Sequence, residues 1–94
     1  MAGSTKSQPR GSRKAPDPQE VFGEIIRERR TARELSQREF TALTDLERST
    51  IAYIELGKRQ PTLATIMELA RALEVLPSEL LQEMERRLGL RKHL

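Results

Sequence analysis

Apolar residues recur at three- and four-residue intervals in five stretches of this chain, each opened by a capping residue or a proline and closed by a break. The clearest stretch is LSQREFTALTDLERSTIAYIELG, from Leu35 to Gly57. Ser36 with Glu39 three positions on is a capping box, the hydroxyl accepting from the Glu39 amide while the Glu39 carboxylate reaches back to the Ser36 amide. A helix therefore starts at Gln37, with Phe40 and Leu43 on one face. Thr44 and Asp45 interrupt it through local side-chain hydrogen bonding, and Leu46 turns inward before a second helix of about residues 47–56. Ile51 and Ile54 of that helix face inward with Leu46. Arg48, Ser49, Ala52 and Tyr53 fall on the opposite side, and Gly57 supplies the left-handed residue that ends it.

The flanks repeat the pattern. Order begins at Asp17-Pro18-Gln19-Glu20, where Asp17 caps, Pro18 takes the first helical position and Glu20 closes a box. Phe22, Ile25, Ile26 and Arg29 or Arg30 follow at helical spacing to about residue 33. Thr62, behind Pro61, caps a helix of about residues 63–74 with Leu63, Ile66, Met67, Ala70 and Leu73 inward, and Pro77 opens a fifth. There is no strand pattern and no internal repeat. The expectation is an all-α fold of five helices in which the second and third, with a four-residue turn, form a helix-turn-helix; that arrangement points to double-stranded DNA.

Composition narrows this further. Ninety-four residues make one domain with a small core, burying about 60 to 65 per cent of the unfolded surface. Without cysteine there is no disulfide and no thiolate metal site, which fits a reducing cytosol. No apolar run approaches about 18 residues and the polar start has no signal-peptide core, which excludes membrane spanning and secretion. The net charge of +3 is uneven, since residues 1–16 hold Lys6, Arg10, Arg13 and Lys14 with no acid, and residues 17–94 sum to −1. The expected organisation is a flexible basic tail over 1–16, a helical domain over 17–90 and a basic end over 91–94. The tail reads either as an arm adding phosphate contacts or as a solvated leader.

From Phe22 to Leu81 the chain resembles, without gaps, the DNA-binding domain of the phage repressor and Cro family, also called the XRE family. The resemblance rests on Leu35-Ser36-Gln37, Arg48-Ser49-Thr50-Ile51, Ile54-Glu55 with Gly57, Pro61-Thr62-Leu63, and Glu68-Leu69-Ala70-Arg71-Ala72-Leu73 running on to Ser78-Glu79-Leu80-Leu81. It implies a lambda-repressor-like fold and a cytoplasmic regulator, bacterial or phage-encoded. Within the family, the LERSTIAYIELGKRQP segment is similar to restriction-modification controller proteins, small prophage repressors and autoregulating antitoxins. Three positions depart from the family pattern: Asp45 replaces glycine in the turn, Glu47 replaces a small hydroxyl cap, and Glu34 replaces glycine after the first helix.

Phosphate contacts supply most DNA affinity, whereas side chains at base edges choose the sequence. Arg48, at the start of the recognition helix, is the first candidate for base contact, its planar fork matching guanine O6 and N7; the bland reading pairs it with phosphate or Glu47. Ser49 and Tyr53 lie one turn apart on the same face, flanked by Thr50. Tyr53 reads equally as a DNA contact or as a half-buried residue with a wet tip. Glu47 either accepts from cytosine N4 or favours the positive end of the helix dipole. Candidates for phosphate are Gln37 with Arg38 beside it, then Lys58, Arg59 and Thr62 in and after the following loop; for Gln37 this is what the resemblance implies. It also implies a structural ion pair between Arg30 and Glu55. Met67 and Met84 read as core filler and His93 as tail.

Leu80, Leu81, Met84 and Leu88 form an apolar stripe on the fifth helix that must pack on its own domain or on a second copy. The second option is preferred here, because a two-fold dimer sets two recognition helices about 34 Å apart and reads an inverted repeat. The expected function is a homodimeric, sequence-specific transcriptional regulator. The alternative is a protein-interaction module whose fifth helix or tail binds a partner. No metal, cofactor or membrane partner is expected, and an enzyme is disfavoured: there is no Cys, one His near the end and no Gly-rich phosphate loop.

Overall fold

The computed structural model describes residues 16–92; most of the basic leading segment and His93 lie outside them. Five helices follow in order: α1 Pro18–Ala32, α2 Gln37–Ala42, α3 Arg48–Glu55, α4 Leu63–Leu73 and α5 Pro77–Leu88. Local side chains set most of the starts. The Asp17 carboxylate accepts from the Gln19 amide at 2.9 Å with Pro18 in the first turn, Ser36 and Glu39 form both bonds of a capping box, and Thr62 accepts from the Thr65 amide. The return bond expected from Glu20 is not formed. Its side chain lies against Gly57, where a methyl group would meet Glu20 Cγ at 3.0 Å.

Four helix ends share one construction. After α1, the Glu34 amide donates to the Thr31 carbonyl and the Leu35 amide to that of Arg30; Gly57 and Lys58 after α3, Glu74 and Val75 after α4, and Gly89 and Leu90 after α5 repeat this pair. The first residue of each pair is left-handed. Gly57 (φ +74°) and Gly89 (φ +69°) adopt this readily, but Glu34 (φ 59°) and Glu74 (φ 60°) carry a Cβ that opposes it. The residues after them account for the conformation, because Leu35 and Val75 pack against the core and hold the chain in the turn. Asp45, which stands where the family pattern has glycine, is not left-handed: positive φ among non-glycine residues is confined to Glu34 and Glu74 within the described chain.

The core joins Val21, Phe22, Ile25 and Ile26 of α1 to Phe40, Ile51, Ile54, Leu69, Ala70, Ala72, Leu73 and Leu80. Two expectations fail on α4. Leu63 (74% exposed) and Met67 (53%) lie outside, because the buried face centres on Leu69, Ala70 and Leu73, and Met67 is therefore not core filler. Leu43, expected beside Phe40, caps α2 and is also exposed. The stripe on α5 is turned mainly onto its own domain. Leu80 is fully buried, and Met84 and Leu88 pack half-buried on the core, so Leu80 in particular cannot lie on a partner surface as expected; Leu81 remains exposed. Arg87 ties α5 to α1 by donating to Glu28 at 2.6 Å and to Glu83 on its own helix. Its guanidinium, with desolvation opposing, holds the Glu28 and Glu83 carboxyls below their ordinary range.

Candidate nucleic-acid interface

Ile51 and Ile54 pin α3 to the core by one face, and that anchoring exposes the other. Arg48, Ser49 and Tyr53 are exposed, and Thr50 is half-covered. Glu47 stands in extended conformation before the helix and forms no side-chain cap, so its carboxylate does not take up the first-turn amides as a shorter hydroxyl residue would. The exposed end of α3 thus offers a guanidinium, a hydroxyl and uncapped amides together.

The turn that carries α3 is held from α4. Thr44 Oγ donates to the Thr41 carbonyl and accepts from the Leu46 amide, the Asp45 amide donates to Glu68 at 3.1 Å, and Arg71 donates to the Leu43 carbonyl at 2.6 Å. Arg71 also binds Glu68 through two nitrogens, at 3.2 and 2.6 Å. Those bonds, and secondarily the Asp45 amide, hold the Glu68 carboxyl below its ordinary value against desolvation. Glu68 and Arg71 thus hold this turn from α4 by side-chain hydrogen bonds, and the turn contains no left-handed residue. They were legible only as a three-residue charge spacing on α4.

Beneath α3 lies a nearly dry charge cluster. Arg30 donates through Nε and NH2 to the two Glu55 oxygens at 2.7 and 2.9 Å and through NH1 to the Leu35 carbonyl at 2.7 Å. Gln37 Nε2 donates to the same Glu55 carboxylate at 3.0 Å. The Glu55 bonds raise the Arg30 pKa against desolvation, so the guanidinium stays charged. This position of Gln37 differs from the expected phosphate contact. Its side chain turns inward because Glu55 has a lone pair left after Arg30, and the amide at the start of α2 is the part left facing out.

Lys58 and Arg59 are exposed in the loop after α3, and Arg59 reaches back to donate to Thr50 Oγ at 3.3 Å, which brings the loop's guanidinium to the recognition helix. Arg38 is exposed in the first turn of α2. Thr62, expected on phosphate, spends its hydroxyl on α4, accepting from the Thr65 amide and donating to Thr65 Oγ. Among the described residues no cluster of His, Asp and Glu could hold a metal, and no helix is long and apolar enough to cross a membrane.

The helix-turn-helix family profile matches residues 26–81. Among solved structures, the restriction-modification controller protein C.AhdI from Aeromonas hydrophila is 43% identical with a TM-score of 0.63, over 65% of this chain and 92% of that one. The controller protein C.Esp1396I, a tetramer in complex with its natural 35-base-pair operator, is 17% identical with a TM-score of 0.72, over 80% and 99%. A hypothetical transcription factor from Neisseria, NHTF, is 27% identical with a TM-score of 0.67, over 83% and 93%. No curated protein matches the chain. The matched segment covers α2, the turn and α3 with most of the core, and the chain belongs to the XRE-type helix-turn-helix family of DNA-binding transcription regulators.

Proposed function

We propose that this chain reads an inverted-repeat operator as a homodimer, inserting the exposed face of α3 into the major groove of each half-site. The observation that carries the proposal is the two-sidedness of α3: Ile51 and Ile54 are immobilised in the core while Arg48, Ser49 and Tyr53 project from the opposite face. Arg48 donates to guanine O6 and N7, Ser49 and Thr50 reach the neighbouring base or phosphate, and Tyr53 meets a thymine methyl or a phosphate. Glu47 selects against bases that cannot donate to it. Arg38, Lys58 and Arg59, with the Gln37 amide, hold the flanking phosphates. Likeness to a controller protein solved on its operator supports this reading.

The surface suited to the second copy is an open groove of about 450 Å³ lined by Phe22, Pro61, Ile66, Leu81 and Met84, which leaves Leu81 and Met84 as the parts of the α5 stripe within reach of a partner. A selection from random duplexes at near-physiological salt tests the proposal. The expected product is an inverted repeat with half-sites about 34 Å, one DNA turn, apart. A pool that stays random while the protein is folded would overturn it and favour the protein-interaction reading, for which the exposed Leu63 and Met67 on α4 provide a surface.

A further inference from the structure

One face of α1 runs under the C-terminal end of α3. Gln19, Gly23, Ile26 and Arg30 follow one another at intervals of four, three and four residues, so they lie in line along the helix. Three of them engage the last turn of α3 directly. Gln19 Nε2 donates to the Gly57 carbonyl at 2.8 Å, Gly23 lies beneath the Ile54 and Glu55 carbonyls, and Arg30 grips the Glu55 carboxylate. Ile26 fills the space between, fully buried in the cluster that holds Ile51 and Ile54.

The contact at Gly23 is the tightest of the series. A methyl group built there would lie 2.2 Å from the Ile54 carbonyl oxygen and 3.0 Å from that of Glu55, both backbone atoms that cannot rotate away. Glycine within a helix is unfavourable relative to alanine, so the position carries a local cost. What the fold gains is the direct approach of two backbones.

We infer that Gly23 is a positioning residue for base reading: with Gln19 and Arg30 it sets the depth and tilt at which α3 leaves the domain, and through them the reach of Arg48 and Ser49. This rests on the proposed DNA reading. Alanine at position 23 must push the two helices apart by about 1 Å to restore ordinary contact. Bidentate hydrogen bonds at base edges do not survive such a shift, because their strength depends on both distance and angle. The long side chains of Arg38, Lys58 and Arg59 do absorb it on phosphate. The signature is therefore lost sequence preference with retained non-specific binding, which destabilisation alone does not produce.

The test is the ratio of affinities for the duplex enriched by selection and for a scrambled duplex of equal length. Wild type, Gly23→Ala, Gln19→Ala and Val75→Ala are compared at a temperature where circular dichroism shows each fully helical. Val75 packs half-buried beside Leu73 and Arg33 and serves as a destabilised control away from α3. Gly23→Ala should lower the ratio about tenfold or more, Gln19→Ala by a smaller factor, and Val75→Ala not at all. If Gly23→Ala does not fold, Gln19→Ala, which removes one hydrogen bond at a half-exposed site, decides the matter. Ratios unchanged in the α1 variants, or lowered equally in Val75→Ala, overturn the inference alone. A wild-type ratio of one overturns the DNA reading and this inference with it.

Discussion

Replacing Glu55 by glutamine keeps the shape of the side chain and removes the charge around which Arg30 is folded. Only 11% of the Arg30 side chain and 3% of the Glu55 side chain reach solvent, and the guanidinium spends three nitrogens on Glu55 and the Leu35 carbonyl. Removing one partner of a buried pair costs about 3–5 kcal/mol, because the remaining charge is left in a poor solvent. Glutamine retains one acceptor oxygen, which puts Glu55→Gln at the lower end, about 3 kcal/mol or a fall in Tm of roughly 12–24 °C for a domain of this size. Arg30→Met should cost a similar amount. In the double variant no charge remains buried, so its loss should fall short of the sum by about 2 kcal/mol. Urea unfolding followed by circular dichroism measures all three terms. Bonding to Glu55 raises the Arg30 pKa above its ordinary value, so the stability that this shift contributes is fully present below the ordinary value and lost only as pH rises through the still higher folded one; the cost should not vary across the neutral range. Single losses below about 1 kcal/mol that simply add would make the pair equivalent to a surface contact and rule out a buried charge held by its partner.

Arg48→Ala should flatten base preference at one position per half-site, read by repeating the selection with the variant; an unchanged motif would remove Arg48 from base reading. Lys58→Ala with Arg59→Ala should weaken binding to all duplexes alike and reduce the slope of log affinity against log salt by about 2 per protomer, measured by fluorescence anisotropy. Glu34→Gly should stabilise the fold by about 1 kcal/mol, because glycine enters the left-handed conformation at φ 59° without a Cβ penalty; a lower urea midpoint would contradict the account of that helix end. The depressed carboxyls of Glu28, Glu68 and Glu83 contribute stability that is present above the ordinary value of 4.5 and lost as pH falls below it through their folded values. Thermal melts should therefore drop on acidification through that range, less so in high salt, and Glu68→Gln should diminish the drop.

What was legible in the chain is what depends on nearby residues. Ser36 with Glu39, Thr62 before α4 and Gly57 after α3 act within four residues of themselves, so their types and spacing suffice. The register of α4 was not legible, because Leu63, Ile66, Met67, Leu69, Ala70 and Leu73 are apolar around most of the helix and only contact with α1 and α5 decides which face is buried. Glu34 and Glu74 hide their conformation because the residue type argues against it, and the force that holds them there is the burial of the next residue, Leu35 or Val75. At the candidate interface the outward face of α3 followed from its periodicity. The inward turn of Gln37 did not, since it depends on a carboxylate 18 positions away. Gly23 gives no periodic signal; its importance appears only against the carbonyls it meets.

The proposed role of α3 is discrimination of base sequence by its exposed face. It is tested most directly by titrating wild-type protein into the selected duplex and a scrambled one at the same near-physiological salt concentration, with stoichiometry determined in the same titration. Binding about 10³-fold or more tighter to the selected duplex, with two protomers bound, is the predicted result. Equal affinity for both duplexes would contradict that role.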